Sequence, residues 1–151
     1  MENREIEILL IEDNMGDAEL TIRALKKKNL ENRLIHLENG ADALDYIFGE
    51  GTYADQSMST LPKVILLDLN MPKVGGIEVL RRIKADERTK KIPVVILTSS
   101  SQDPDIEKCY ELGANSYIVK PVEFESFVKA VGDLGLYWLL LNWPPSSKEN
   151  I

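Results

Sequence analysis

The sequence predicts an α/β fold in which a doubly wound, five-stranded parallel sheet carries helices on both faces. The first observation is a set of short apolar runs, rich in Val and Ile and typical of strands buried on both faces, at residues 8–11, 64–67, 94–97 and 117–119. The second is that a strand-like segment followed by a helix-like segment recurs five times along the chain. Right-handed crossovers between such units give a parallel sheet that is covered on both sides.

The first half of the chain contains two of these strand–helix units. The helix after strand 8–11 is expected to begin at Asn14, whose side chain makes a good N-cap. The second strand spans residues 33–37, and the helix that follows it is expected to end at Gly49. Residues 49–62 then form an unusually long surface loop. Both helices have apolar residues at helical spacing, namely Ala18, Ile22 and Leu25 in the first and Ala43, Leu44, Ile47 and Phe48 in the second.

The second half contains three further units. The strand at 64–67 leads through the Gly75-Gly76 pair into a helix at 77–85. The strand at 94–97 leads to a helix that starts with Asp103-Pro104, an N-cap followed by proline at the first helical position. The fifth strand spans 116–120, and the last helix is expected to begin near Glu123.

The composition restricts the class of protein. The chain has 151 residues, of which 44% are hydrophobic and 28% are charged, as expected for one globular domain with a real core. Its formal net charge of −7 disfavours binding to nucleic acid or to an anionic membrane. Cys109 and His36 are the single residues of their types, so an intramolecular disulfide and a Cys- or His-rich metal site are excluded. With neither a signal peptide nor an apolar stretch of membrane-spanning length, we expect a cytoplasmic protein.

Polar residues follow four of the predicted strands, and parallel strands bring their carboxyl ends to one edge of a sheet. We therefore expect these side chains to converge on one site: Glu12, Asp13, Asp68, Thr98 and Lys120. Three crowded carboxylates repel one another unless a cation is bound, and a set of oxygen ligands favours a hard ion such as Mg²⁺. Taken singly, each residue also has a structural explanation as a capping acid, a strand-end hydroxyl or a salt-bridge partner.

This combination resembles the receiver domain of two-component response regulators. The resemblance also includes Lys120-Pro121, the aromatic Tyr117 and the Asp-Leu-Asn-Met-Pro segment that opens at Asp68. It covers residues 5–133, which we expect to form the receiver domain, and it implies a flavodoxin-like sheet with strand order 2-1-3-4-5. Glu12 departs slightly from the family pattern, in which aspartate is also common at this position.

The resemblance implies a role for each residue. Asp68 would accept a phosphoryl group from a phosphohistidine of a sensor histidine kinase, so the protein would be a phosphoacceptor and not an enzyme in the usual sense. Mg²⁺, or Mn²⁺ in its place, would be held by Glu12, Asp13, Asp68 and the backbone carbonyl of Asn70. Lys120, which is expected to precede a cis peptide bond, and Thr98 would contact the phosphoryl group. Thr98 and Tyr117 would form the conformational switch, and Asn70 and Ser100 would tune the phosphoryl lifetime.

Residues 134–151 form an extension that is more apolar than a last surface helix requires. Its large apolar residues are candidates for a homodimer or partner surface: Leu136, Tyr137, Trp138, Leu140, Leu141 and Trp143. The alternatives are that the extension folds back on its own domain or, least favoured, that it lies on a membrane. The extension and the loop at 49–62 resemble the single-domain regulators of bacterial, especially cyanobacterial, phytochrome kinases. Output would then go to a downstream protein or to a phosphotransfer partner.

The residues of this chain disfavour three other functions that are found on similar folds. A phosphohydrolase with an aspartate nucleophile needs a second Asp two positions on as general acid, where this chain has Asn70. A flavin-binding module needs a Ser/Thr/Gly loop for the phosphate, where this chain has Glu12 and Asp13. A GTPase needs a Gly-x-x-x-x-Gly-Lys loop, which the sequence lacks. A receiver-like module that binds its partners independently of phosphorylation stays open.

Overall fold

The computed structural model describes residues 8–26, 34–49, 61–71 and 74–133. Strands and helices alternate throughout this part of the chain. The strands are β1 Ile8–Ile11, β2 Leu34–Leu37, β3 Val64–Asp68, β4 Val94–Thr98 and β5 Ser116–Val119, and the helices are α1 Met15–Leu25, α2 Gly40–Phe48, α3 Gly76–Ala85, α4 Asp105–Glu111 and α5 Phe124–Asp133.

The five strands form one parallel sheet in the order β2-β1-β3-β4-β5. In its centre, Leu10 lies opposite His36 on one side and Leu66 on the other. Towards the far edge, Ile96 lies opposite Tyr117. The predicted doubly wound, flavodoxin-like architecture is thereby confirmed. In this order the strands that end at Glu12, Asp68, Thr98 and Lys120 are four neighbours, and their carboxyl ends share one edge.

The core has two layers because side chains alternate across the sheet. Leu9 and Ile11 face a cluster formed with α2, α3 and α4, whereas Ile8 and Leu10 face a cluster formed with α1 and α5. The central strands β1, β3 and β4 are buried along their whole length, as the continuous apolar runs indicated. Cys109 is buried in the first cluster, as a small apolar side chain would be.

Helix ends follow the predicted capping residues with two corrections. The side chain of Asn14 accepts a hydrogen bond from the backbone N–H of Asp17 at 2.8 Å, which caps α1. Gly49 ends α2 in the left-handed conformation at φ 64°. Helix α3 begins at Gly76, one residue before the predicted start. Helix α4 begins at Asp105 and not at Pro104, but the carboxylate of Asp103 still caps it by accepting from the N–H of Asp105 at 2.8 Å.

The start of α3 lies directly against the end of β3, the strand that carries Asp68. A Cβ atom placed on Gly76 would lie 2.5 Å from the backbone oxygen of Asp68 and 2.9 Å from Leu69 Cα. Such separations are well inside van der Waals contact. Glycine at position 76 therefore permits the close approach that fixes Asp68 relative to the neighbouring helix.

The Lys120–Pro121 peptide bond is cis, as the family resemblance implied. Within the described ranges, the helices are too short and too polar for any of them to cross a membrane.

Candidate functional site

Three carboxylates meet at the carboxyl edge of the sheet. Glu12 and Asp13 directly follow β1, and Asp68 is the last residue of β3; each offers an oxygen atom, and the three lie within 4.8 Å of one another. Glu12 is fully buried and Asp68 is 2% exposed. Charges this close and this poorly hydrated repel one another strongly, so the cluster requires positive charge nearby.

Lys120, the residue after β5, supplies one positive charge. Its Nζ lies 3.3 Å from Asp68 Oδ1, 3.3 Å from Glu12 Oε1 and 3.0 Å from Asp17 Oδ2. Burial alone would lower the pKa of Lys120, but the hydrogen bond to Asp17 and the charges of Asp68 and Glu12 together raise it above its ordinary value. The ammonium group therefore stays charged while it is held between acids from three parts of the chain.

The environment of Asp68 disfavours its charged form. Burial is the main cause, followed by the hydrogen bond and the negative charge of Glu12; Lys120 opposes them, and the pKa of Asp68 is raised from 3.8 to about 8. In the protein alone, burial and the charge of Glu12 thus favour the protonated form of Asp68 at neutral pH. A divalent cation at this position would favour the carboxylate form by its charge.

Backbone hydrogen bonds continue one residue beyond the strands and hold the site residues in place. The N–H of Glu12 donates to Leu37 O at 3.1 Å, and the N–H of Lys120 donates to Thr98 O at 2.7 Å. His36 Nε2 lies 2.8 Å from the backbone oxygen of Glu12. The single histidine therefore supports the chain behind Glu12, and the described contacts give it no place among the carboxylates.

The donor chemistry of the cluster fits a hard divalent cation. Glu12, Asp13 and Asp68 offer only oxygen atoms, and Asp13 is partly open to solvent, which suits an ion that retains water ligands. Asn70 follows Asp68 by two residues at the same edge and has an exposed side chain. This is the chemistry of a magnesium or manganese site, in which the cation offsets the repulsion that Lys120 offsets only in part.

Thr98 belongs to the same edge, but its side chain is turned towards the loop before α4. The buried hydroxyl donates to Ser100 O and to Asp103 Oδ2, each at 3.2 Å. On the next strand, the ring of Tyr117 packs edge-on against Tyr110 of α4, with centroids 6.4 Å apart at an interplanar angle of 78°. Tyr117 is half-buried and Ser100 is exposed. Both proposed switch residues are therefore in contact with α4 or with the segment leading into it.

Two acidic residues of this region were not assigned to the site by the sequence. Asp17, an acid in the first turn of α1, makes the shortest contact with Lys120. Asp103 was expected only to cap α4, yet its second oxygen accepts from Thr98. A signal for Asp17 exists, since it lies in the first turn of the helix that begins directly after the carboxyl end of β1. Nothing in the sequence indicates the contact between Thr98 and Asp103.

The predicted partner surface on the C-terminal extension lies outside the described residues, as does most of the loop at 49–62. The positions concerned are Leu136, Tyr137, Trp138, Leu140, Leu141 and Trp143. Their assignment to a dimer surface stays a prediction.

A parallel sheet in this order, with an acidic cluster and a lysine at its carboxyl edge, defines the receiver class of signalling domains. The family model described as response regulator receiver domain matches residues 8–132. The chain therefore belongs to the response regulator receiver family, which confirms the predicted family and its phosphoacceptor signalling role. Domains of this family are signalling proteins and are typically not enzymes.

Two curated relatives match this chain over most of their own length. The chain is 42% identical over 139 residues to the probable methanogenesis regulatory protein FilR2 of Methanothrix harundinacea, with 91% of this chain and 86% of that protein covered. It is 39% identical over 132 residues to the response regulator Rcp1 of Synechocystis, with 87% and 88% covered.

Solved structures of similar proteins include several regulators from phytochrome systems. The bacteriophytochrome response regulator RtBRR is 48% identical, with 94% of this chain and 85% of that chain covered, at a TM-score of 0.82. The phosphorylated cyanobacterial phytochrome response regulator RcpA is 38% identical, with 89% and 94% covered, at 0.72. The Mn²⁺-bound form of Rcp1 is 39% identical, with 87% and 93% covered, at 0.69. The predicted divalent-metal requirement agrees with this manganese-bound relative and with the acidic cluster described above.

Proposed function

We propose that Asp68 accepts a phosphoryl group from the phosphohistidine of a sensor histidine kinase and that the resulting aspartyl phosphate is the signal. The observation that carries this proposal is the position of the Asp68 carboxylate, which is buried at a strand end, 3.3 Å from an ammonium group and beside two further acids. A buried carboxylate in such surroundings destabilises the fold, but it is well placed to act as a nucleophile. The phosphorylated state of the relative RcpA supports the same assignment.

In the transfer step, an oxygen of Asp68 forms a bond to phosphorus as the bond between phosphorus and the imidazole nitrogen breaks, and the electron pair returns to the imidazole. Glu12, Asp13, Asp68 and the backbone carbonyl of Asn70 would hold Mg²⁺, which supplies positive charge against the phosphoryl oxygens. Lys120 would exchange part of its contact with Asp68 for a phosphoryl oxygen. The Thr98 hydroxyl would bind another of these oxygens.

Signalling would follow from the movement of Thr98. Its hydroxyl leaves the loop before α4 when it binds the phosphoryl group, and Tyr117 fills the vacated space. The surface formed by α4 and β5 then changes, and a downstream protein or a phosphotransfer partner reads the change. Asn70 and Ser100 have exposed side chains at this edge, and we assign to them the tuning of the phosphoryl lifetime.

We further propose that the kinase is of the phytochrome type and that both proteins act in the cytoplasm. The support is the similarity to RtBRR, RcpA and Rcp1, of which the first two are named as phytochrome regulators. We also propose that the extension at 134–151 forms a homodimer through its aromatic and leucine side chains, because aromatic residues such as Trp and Tyr are enriched at protein interfaces.

The test of Asp68 is incubation of the full chain with acetyl phosphate, with and without Mg²⁺. We expect a single acid-stable, hydroxylamine-labile phosphoryl group that requires Mg²⁺ and is lost in Asp68→Asn. The exposed Asp42, whose substitution removes a similar charge from α2, provides the matched control Asp42→Asn, which should label like the wild type. Intact mass and peptide mapping give the extent and the position of the label.

Other outcomes would favour the alternatives. Label that persists in Asp68→Asn at the wild-type level would show that another residue is the acceptor. A wild-type protein that takes no label from acetyl phosphate or from a kinase would favour an interaction module that is independent of phosphorylation. Steady release of phosphate from phosphate monoesters, dependent on Asp68, would favour a phosphohydrolase.

A further inference from the structure

Asp103 joins the hydroxyl of Thr98 to the first turn of α4. One carboxylate oxygen, Oδ2, accepts from Thr98 Oγ1 at 3.2 Å. The other, Oδ1, accepts from the backbone N–H of Asp105 at 2.8 Å, and the carbonyl of Asp103 accepts from the N–H of Ile106 at 3.1 Å. A single half-buried side chain therefore connects the end of β4 with the start of the next helix.

The Thr98 hydroxyl has one proton to donate, and in this structure it is directed towards Asp103 and Ser100. Thr98 itself is 1% exposed, so water does not readily replace either acceptor. In the proposed function this hydroxyl binds a phosphoryl oxygen on Asp68, and to do so it must turn away from the loop before α4, which carries both Asp103 and Ser100. The two contacts therefore belong to two different states of the domain.

We propose that Asp103 is a positioning residue that holds Thr98 away from Asp68 in the unphosphorylated state, and that phosphorylation releases α4 by breaking this contact. The inference rests on the proposed function, because it takes the Thr98 hydroxyl as the phosphoryl-binding group. It goes beyond that function by naming the group that competes with the phosphate and by giving the route to α4.

Loss of the hydrogen bond between Thr98 and Asp103 favours the phosphoryl-bound state. The hydrogen bond from Thr98 to Asp103 stabilises only the unphosphorylated state, so its removal shifts the equilibrium towards the phosphoryl-bound state. Thr98 keeps Ser100 O as a second acceptor, which limits the effect. With this second acceptor retained, the loss amounts to that of one ordinary hydrogen bond, which is roughly a three- to tenfold change in the equilibrium.

The main variant is Asp103→Ser. Serine is as good an N-cap as aspartate, so α4 keeps its cap, but the shorter side chain with one oxygen cannot also serve Thr98. The matched control is Asp105→Ser, which removes a similar exposed acid from the same helix end while leaving the backbone N–H in place. The probe is beryllofluoride with Mg²⁺, a stable mimic of a phosphoryl group.

We expect Asp103→Ser to bind beryllofluoride roughly three- to tenfold more tightly than the wild type, and Asp105→Ser to stay within about twofold. Hydrogen exchange at the amides of Asp105 and Ile106 should increase when the wild type binds the probe. In Asp103→Ser a serine oxygen still caps these amides but is no longer bound to Thr98, so their exchange should change less on binding. An unchanged affinity in Asp103→Ser, or the same gain in Asp105→Ser, would overturn the proposal.

A double-mutant cycle separates this inference from the proposed function. Urea unfolding of Thr98→Val, Asp103→Ser and the double variant, all without the probe, measures the coupling between the two side chains. Additive losses would overturn the contact itself. A wild type that neither binds beryllofluoride nor takes label, with coupling intact, would reject the proposed function and the release of α4 but not the bond between Thr98 and Asp103.

Discussion

Asp68 is the residue at which burial and charge act most strongly against each other. Its side chain has almost no access to water, and Glu12 adds a negative charge beside it; both raise its pKa to about 8. Lys120 reduces this effect but does not cancel it. An acid with such a pKa binds protons in the folded state under conditions in which the unfolded chain has released them, and this difference makes the stability of the domain depend on pH.

The direction of this pH dependence follows from the two pKa values of Asp68, which are 3.8 in the unfolded chain and about 8 in the folded domain. Between 3.8 and about 8 the folded state holds more protons than the unfolded state, so in the presence of a chelator the free energy of unfolding falls as the pH rises. The slope attributable to Asp68 is at most about 1.4 kcal/mol per pH unit. Urea unfolding from pH 5 to pH 8.5 measures it, with Asp68→Asn as the reference that lacks the titrating group.

We expect the wild type to lose stability relative to Asp68→Asn over this range. Saturating Mg²⁺ should reduce the difference, because the cation favours the carboxylate and lowers the pKa of Asp68. Parallel pH profiles for the two proteins in chelator would contradict the assignment of a raised pKa to this residue.

At the scale of elements, the position of Asp68 depends on the contact between β3 and α3. Two contacts fix the start of α3 at the end of β3. Gly76 lies close to the backbone oxygen of Asp68, and the N–H of Gly76 donates to Leu69 O at 3.2 Å. A side chain at position 76 must push these two elements apart. The geometry of the acidic edge thus depends on a residue that carries no functional group.

Gly76→Ala should therefore lower the free energy of unfolding by about 1–3 kcal/mol, the usual cost of overpacking a rigid contact. Gly132→Ala is the matched control, because a Cβ at Gly132 meets no heavy atom within 4 Å. Alanine is the better helix former, so the control should be neutral or more stable by up to about 1 kcal/mol. Denaturant unfolding measures both; equal stability of the two variants would contradict the close contact at position 76.

The sequence predicts the strands well, but it does not predict the side-chain contacts between elements. The strands could be predicted because continuous Val/Ile/Leu runs have few other solutions, and the strand order followed from the family resemblance. The start of α4 was predicted one residue early because proline is common at the first helical position, whereas Pro104 has helical backbone angles but precedes the helix. The side-chain contacts of Asp17 and Asp103 could not be predicted, because rotamer choice depends on groups from other elements.

At the scale of the whole molecule, the question is whether two copies associate through the extension at 134–151. A chain that ends at residue 133 removes the extension and retains every described element. If the extension forms the dimer, the full chain should elute from a size-exclusion column as a dimer and the shortened chain as a monomer. Far-ultraviolet circular dichroism checks that the shortened chain is folded.

A chain that ends at Pro145 provides the matched control, since it retains the aromatic and leucine residues and lacks only the polar tail. It should elute with the full chain. The same elution class for the chains ending at 133 and at 151 would argue against dimerisation through the extension.

The backbone hydrogen bonds that continue past the strand ends have a consequence for the timing of the signal. Because Lys120 N–H is bonded to Thr98 O at 2.7 Å, and Leu69 N–H to Leu97 O at 3.0 Å, the main chain at this edge is held in place from both sides. In the proposed function, Thr98 and Tyr117 would therefore turn as side chains while the strand backbone that carries them keeps its position. The strand ends would then present the same site before and after each cycle of phosphorylation, and the lifetime of the acyl phosphate would set the duration of each signal.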